Sequence, residues 1–533
     1  MPRNWFNRSL PLPKVQRAAY DLHEDRIQTM RLARLCPIGI QECLPKDIHM
    51  FSHDAFLRLA PLKYPILQKL NLNMASFFVP DRLILGEDKA VELFRSLEPS
   101  DALIPKLKLV NDGIFDYPGM AFSPNGLLDY FGIQADLSPQ GVPQGGYVII
   151  PNPIPIFQYL LILRDYYMDE QIDESLIAAV DTLLEAYKAV PLGGTLEIGA
   201  GVSPIPAVDQ AFQDVVMPFH VRKYRDYYTS GLPTPQRGDD VYIMNPATLI
   251  DSSGDKARLF AYNGSAIQTF GAGEPGTTPL TNLDTLGFDT TVRDLLTKMA
   301  YQRFKNVLNQ FGADRYNEFL AGNFGVINQD VRLQRAECIG RSRGIFQISE
   351  VIQQSATEAT SPLGSYAGRG IAGKRTRNFR YHVNEHGFLF HLVSVVPDQG
   401  YMSGAPRWYF KESGLDFALP QFNNVGEQPI YKGELYLNAL DSSDNKDDFA
   451  YIPRYSEYRS GRNYASAGMR QSPFTAWHLY EAFDHSVALN GEFLEANDAD
   501  RIFNLVDPTS VQNIVGVFHS YHVAFRPISY NPK

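Results

Sequence analysis

The sequence predicts a mainly β protein with helical insertions, and three stretches carry that prediction. The first runs from His382 to Tyr436. A strand-like run from Phe388 to Val396 is stopped by Pro397, and a turn-rich segment leads to the aromatic block Arg407, Trp408, Tyr409 and Phe410. A loop through Asp416, Pro420, Phe422 and Gly426 follows, then a short strand around Glu434 to Tyr436. The second stretch, Leu70 to Pro80, reads as a strand with Leu72, Met74 and Phe78 on one side and Pro80 closing it. In the third, from Ile514 to Phe525, Val517, His519, Tyr521, Val523 and Phe525 alternate with Phe518, Ser520, His522 and Ala524, as in a final strand. Short β-rich runs separated by Gly, Pro and Asn turns belong to antiparallel sandwiches and barrels.

Taken in order, residues 1–43 form a Pro-punctuated arm with Arg3, Arg8, Lys14, Arg17, Arg26, Arg31 and Arg34, partly offset by Asp21, Glu24 and Asp25. Its simplest reading is a solvated terminus; its functional reading is contact with nucleic acid. A short helical piece is expected from Asp88 to Leu97, and a long helical region from Ile154 to Tyr187 with Phe157, Leu160, Leu161, Leu183 and Leu184 at helical spacing. Residues 239–289 are rich in Gly, Thr, Ser and Asn and read as a surface excursion. Thr291 opens a helix with a Thr-x-x-Asp cap and an apolar face from Val292 to Phe311. Ser472 and Pro473 mark another helix start, with Phe474, Trp477 and Phe483 facing inward. No repeat of solenoid or propeller length is present.

The bulk composition narrows the function. A chain of 533 residues, 44% hydrophobic and 20% charged, has ample core for a folded, soluble protein. A net charge of -10 opposes coverage of nucleic acid by the whole surface, so a polyanion needs a local basic patch or a separate basic partner. Three cysteines, Cys36, Cys43 and Cys338, make no disulfide framework and suit a reducing cytoplasm. The first residues lack the apolar core of a leader peptide, and the longest apolar stretch, Phe157 to Leu163, is too short to span a bilayer.

Three motifs suggest chemistry and fail on context. Gly368, Gly370, Gly373 and Lys374 fit both Gly-rich phosphate-binding patterns, but Arg375 stands where a magnesium-binding Ser or Thr is needed and the segment leads into a strand. What remains is a basic loop, Arg369, Lys374, Arg375, Arg377 and Arg380, either solvated or a phosphate-backbone contact. His382, Glu385 and His386 fit an inverted zinc-protease pattern, but that chemistry needs a helix and Gly387 begins a β-type run. The four carboxylates between Asp441 and Asp448 lack the mid-loop Gly of a calcium site. No catalytic set, cofactor cradle or complete metal set is expected.

Several runs together resemble a known family. Residues 52–58 and 77–82, the run from Arg225 to Gly238, Gln302 to Phe304, Arg315 to Glu318, Phe324 to Val326, Asp330 to Arg335, Glu385 to Gly387 and Gly426 to Pro429 occur in family order, with a looser match from Tyr458 to Trp477. The chain resembles a major capsid protein of the microviruses (Microviridae), on the gokushovirus-like side, small phages with single-stranded DNA. It departs at Ala336, where proline is expected, at Thr234, where an aromatic is expected, and in the shorter 239–289 region. The resemblance implies one domain over 1–533: an eight-stranded viral jelly roll with long inter-strand loops, most strands in 44–80 and 376–533. Residues 81–375 are then insertions with helices, including a candidate surface protrusion at 239–290. It also implies a T=1 icosahedral virion assembled in the bacterial cytoplasm from copies of this chain. Expected partners are packaged circular single-stranded DNA, a small basic DNA-binding peptide, a DNA pilot protein and a host-cell surface receptor. Candidate DNA contacts are Arg3, Arg8, Lys14, Arg17, Arg369, Lys374, Arg375 and Arg377. The competing readings are a phage spike or receptor- or carbohydrate-binding β-sandwich and, more remotely, a zinc metallohydrolase.

Overall fold

The computed structural model describes residues 17–95, 103–111, 126–133, 146–198, 217–235, 260–262, 267–269, 299, 335–352, 354, 364, 366–422, 426–438, 444–496, 500–504 and 512–528. Two antiparallel sheets dominate. One has seven strands: β1 (Ala18–Asp21), β2 (Glu24–Met30), β4 (Ile48–Leu59), β12 (Gln347–Ile352), β13 (Tyr366–Arg375), β14 (Phe379–His382) and β18 (Ile514–Arg526). Long β4 and β18 lie side by side from Leu59–Ile514 to Ile48–Phe525. Beyond β18, β1 and β2 share one flank; beyond β4, β13 and β14 share the other, and β12 borders β13. The second sheet runs β11 (Glu337–Ile345), β5 (Leu70–Pro80), β15 (Gly387–Pro397), β3 (Cys36–Cys43). This is a β-rich jelly-roll double sheet.

The four-stranded sheet is apolar on both sides because both sides are covered. Leu72, Met74, Val393 and Val395 meet Leu57, Leu59, Ile514 and Phe518 of the other sheet. On the reverse, Phe77, Val79, Phe390, Leu392 and Val396 pack against the helices Ile154–Tyr166 and Glu174–Ala189. The first of these helices is buried nearly all round; Phe157 stacks on Tyr187 at 4.2 Å, and the Tyr159 hydroxyl donates to the Leu35 carbonyl at 3.0 Å. A small sheet of β6 (Lys106–Val110), β7 (Tyr147–Ile150) and β8 (Thr195–Ile198) adds Leu107 and Leu109 to the same core.

A hairpin, β16 (Glu427–Tyr431) with β17 (Asp448–Pro453), underlies a third apolar cluster containing Tyr228, Tyr401, Ile430 and Phe493. The segment 234–330 is a separate compact unit, whose described part includes the hairpin β9 (Phe260–Tyr262) and β10 (Ile267–Thr269). The helix expected from Thr291 and most of the 239–290 excursion lie outside the described residues.

Several expectations are corrected. Residues 18–43 are sheet strands rather than an arm, because β1 to β3 find partners in β18 and β15, far along the chain. The span 81–375 is more than insertions, since it contributes β11, β12 and all of β13 to the two main sheets. The strand expected at 434–436 lies instead at Glu427–Tyr431, and Lys432–Glu434 is a 3-10 turn. The helix expected after Pro473 is a 3-10 turn, Phe474–Trp477, and Phe474 points to solvent. The basic loop at 368–374 is the strand β13. Its Gly-x-Gly has a packing cause: a Cβ on Gly368 would lie 2.7 Å from the Tyr64 carbonyl oxygen, and one on Gly370 2.3 Å from Leu59 Cδ1. Glycine here allows the close approach of the Tyr64 backbone and of Leu59 on the neighbouring strand β4, not a phosphate cradle.

Between the sheets sits a polar box. His49 Nδ1 and His522 Nε2 are 2.8 Å apart, the His53 and His391 rings are 4.1 Å apart, and His391 bonds Ser76 at 2.9 Å. Asp47 lies 3.3 Å from His49 and 3.4 Å from Arg526. Burial, reinforced by His522, pushes His49 down to about 3 and His53 to about 4. Burial also takes His522 to about 4 and holds His391 well below its ordinary value. All four rings are therefore neutral at pH 7.

Candidate nucleic-acid interface

β4 and β18 alternate, so each turns one face inward and the other to solvent. Outward on β4 stand Met50, Asp54, Phe56 and Arg58, with Ser52 buried among them; outward on β18 stand Val515, Val517, His519, Tyr521, Val523 and Phe525. The pairing places Val517 beside Phe56, and Phe56 beside Gly373 of β13. Ile27 of β2 flanks Val517 and is 79% exposed; Val515 is 49% and Phe56 39% exposed. A sheet face with this much bare apolar area marks an interaction surface.

The face is graded in charge. Toward β1 and β2 it carries Asp21 and Asp25, the latter 2.7 Å from His519. Toward β13 and β14 it is basic: Arg58, Arg369, Arg375, Arg377 and Arg380 are exposed, and none forms an ion pair with a described residue. Asp54, next to Arg375 in the register, faces out among them. The arginines lean on rings: Arg58 lies 5.2 Å from the Phe56 centroid, Arg375 5.1 Å from Tyr521 and Arg377 5.3 Å from Phe379. Of these rings Phe56 and Tyr521 are exposed and Phe379 is buried; guanidinium groups beside exposed aromatics can grip phosphates while bases stack.

Of the sequence candidates, Arg369, Arg375 and Arg377 come together here. Lys374 does not: it is half-buried, and its stem packs where a Cβ on Gly344 of the opposite sheet would point. Arg17 is exposed just before β1, where its charge reaches Asp47. Arg3, Arg8 and Lys14 lie outside the described residues. Arg58, Phe56, Met50 and Tyr521 were not expected as site residues; the period-two alternation from Ser52 to Arg58 is the signal for Phe56 and Arg58, whereas Tyr521 reaches this face only through the pairing of β18 with β4.

The other tempting motifs are engaged elsewhere. Glu385 is held by Arg82 at 2.8 and 3.2 Å, while His382 lies on β14 and His386 in the turn beyond it. Among the described residues, no three His, Cys, Asp or Glu are grouped to hold a metal. Asp447 pairs with Lys432 and Asp448 accepts from the Tyr451 hydroxyl. Cys36, Cys43 and Cys338 are free thiols.

Double-sheet jelly rolls are an architecture of viral capsid proteins, as well as of lectins and cupins. The family model described as Capsid protein (F protein) matches residues 9–530, and the chain belongs to that family. It is 24% identical to Capsid protein VP1 of Chlamydia phage 1, over 93% of this chain and 91% of that protein. Identity to Capsid protein VP1 of Bdellovibrio phage phiMH2K is 26%, over 97% and 95%. To Capsid protein VP1 of Spiroplasma virus 4 it is 26%, over 52% and 56%. The chain is thus a microvirus-type structural subunit of a phage capsid and a virion component that assembles with its own copies. No helix among the described residues is long and apolar enough to cross a membrane.

Proposed function

We propose that this subunit builds a T=1 shell around circular single-stranded DNA and that the bare face of the seven-stranded sheet meets the genome. The carrying observation is the row of five exposed arginines with no ion pair among the described residues, Arg58, Arg369, Arg375, Arg377 and Arg380, with Phe56 and Tyr521 on the same strand surface. In the N-terminal segment, Arg3, Arg8, Lys14 and Arg17 remain candidate DNA contacts by their charge alone. An acidic chain of net charge -10 leaves the remaining phosphate charge to a small basic DNA-binding peptide. A DNA pilot protein and a host-surface receptor complete the partners, with residues 239–290 as the surface protrusion. The role is structural, without catalysis, cofactor or metal.

The test is charge reversal on the face. Particles carrying Arg58→Glu, Arg375→Glu and Arg377→Glu are expected to assemble yet contain less DNA, read from the ratio of absorbance at 260 and 280 nm. Particles with full DNA content would refute the assignment.

A further inference from the structure

A second aromatic and basic site lies away from the sheets. A cleft of about 600 Å³ opens between the turn Arg407–Phe410 and residues 457–470, within the roughly 300–1,000 Å³ span of small-ligand sites. Its floor is fixed by Gly404, at φ +82°, where a Cβ would lie 2.1 Å from the Glu434 carbonyl oxygen, so no side chain can fill it. Its rim carries Trp408, Tyr409 and Tyr464, exposed by 66%, 73% and 66%. Three large rings bare around one cavity mark a surface that something covers, a ligand or a partner.

The charges decide which ring-bearing ligand fits. Arg407 is paired with buried Glu434 at 3.0 Å, and Lys411 with Glu457 at 2.9 Å, so these four groups cancel. Arg462 is tethered by donating to the Ser403 carbonyl at 2.6 Å, with no carboxylate partner among the described residues. Arg470 is likewise unpaired and exposed. Two uncancelled guanidinium groups beside three stacking surfaces suit a flat ring attached to an anion, and a neutral sugar would leave that charge unused.

We infer that this cleft receives a nucleotide of single-stranded DNA, its base against Trp408, Tyr409 or Tyr464 and its phosphate on Arg462 and Arg470. The inference rests on the reading of the chain as a coat around single-stranded DNA, and it adds a discrete binding site separate from the sheet face. Stacking tolerates any base, so little sequence preference is expected.

The experiment uses intrinsic fluorescence of the full-length protein titrated with short oligo(dT) at low and high salt. A base stacked on Trp408 should quench emission, and the quenched component should vanish in Trp408→Phe, a change at an exposed position that leaves folding intact. Arg462→Gln with Arg470→Gln should weaken binding about tenfold and flatten its salt dependence. Arg58→Glu with Arg375→Glu should leave the quenching in place, which separates this site from the sheet face. Quenching by a neutral oligosaccharide but not by oligo(dT), no quenching by either, or quenching that survives in Trp408→Phe would each overturn the inference. If particles with the sheet-face reversals package normally while Trp408 still responds to oligo(dT), the sheet assignment falls and the cleft stands.

Discussion

The two sheets of this sandwich are built from the same residue types and end in opposite circumstances. β5 and β15 are buried along almost their whole length, between the other sheet on one side and helices on the other. β4 and β18 bury one face and present the other to solvent. The insertions that follow β5 fold back over the four-stranded sheet, while nothing in the described chain covers the seven-stranded one. A covered sheet supplies stability and a bare one supplies contact. Most exposed arginines with no ion pair among the described residues lie on the bare sheet, because a charge on a covered face would lose its hydration.

The largest effect that tests this contrast is truncation at matched aromatic positions. Phe390→Ala, on the helix-covered face of β15, should cost about 3–5 kcal/mol, whereas Phe56→Ala on the bare face of β4 should cost less than about 1 kcal/mol. Denaturant midpoints of the two variants measure the difference, and similar losses would dissolve the distinction.

Acid should act through the seam between the sheets. A histidine whose folded pKa lies below its unfolded value near 6.5 stabilises the fold above that pH. The contribution is lost as pH falls toward the folded pKa, because only the unfolded chain takes up the proton. With His53 and His522 at about 4 and His49 at about 3, the loss falls between pH 6.5 and 4 for the first two and continues to about pH 3 for His49. At 1.36 kcal/mol per unit, His49 alone accounts for about 3 kcal/mol by pH 4. Urea unfolding at pH 7, 5.5 and 4.5 should show the decline, and His49→Gln should make it shallower. A level profile in the parent protein would contradict the buried neutral box. The smallest effect belongs to the bare face: Arg58→Glu or Arg375→Glu should change stability by no more than about 0.5 kcal/mol while changing DNA content.

Much of the frame was legible in the sequence, for reasons visible in particular strands. The run from Phe388 to Val396 is apolar at successive positions, as a strand covered on both faces requires. The stretch from Ile514 to Phe525 alternates, as a half-solvated strand requires. Leu70 to Pro80 was bounded by its own proline. Reading failed where local pattern and distant partner disagreed. Gly368 to Arg375 looked like a loop because glycines weaken a strand, yet Leu59 and Tyr64 press on it so closely that only glycine fits.

The sequence alone determined that this chain forms β-strands, which of them have one wet face, and that at a net charge of -10 a polyanion would have to meet a local basic patch or a separate basic partner; these follow from composition and from periods of two, which are local. Only the tertiary structure decided that β4 joins β13 and β14 on one flank and β18 on the other, which brings residues as distant as Arg58 and Arg375 onto one surface. It alone brought His49, His53, His391 and His522 into one box and placed Trp408 across from Arg462. Strand partners are chosen by the total burial of both sheets, and that sum is not written in any one stretch of the chain.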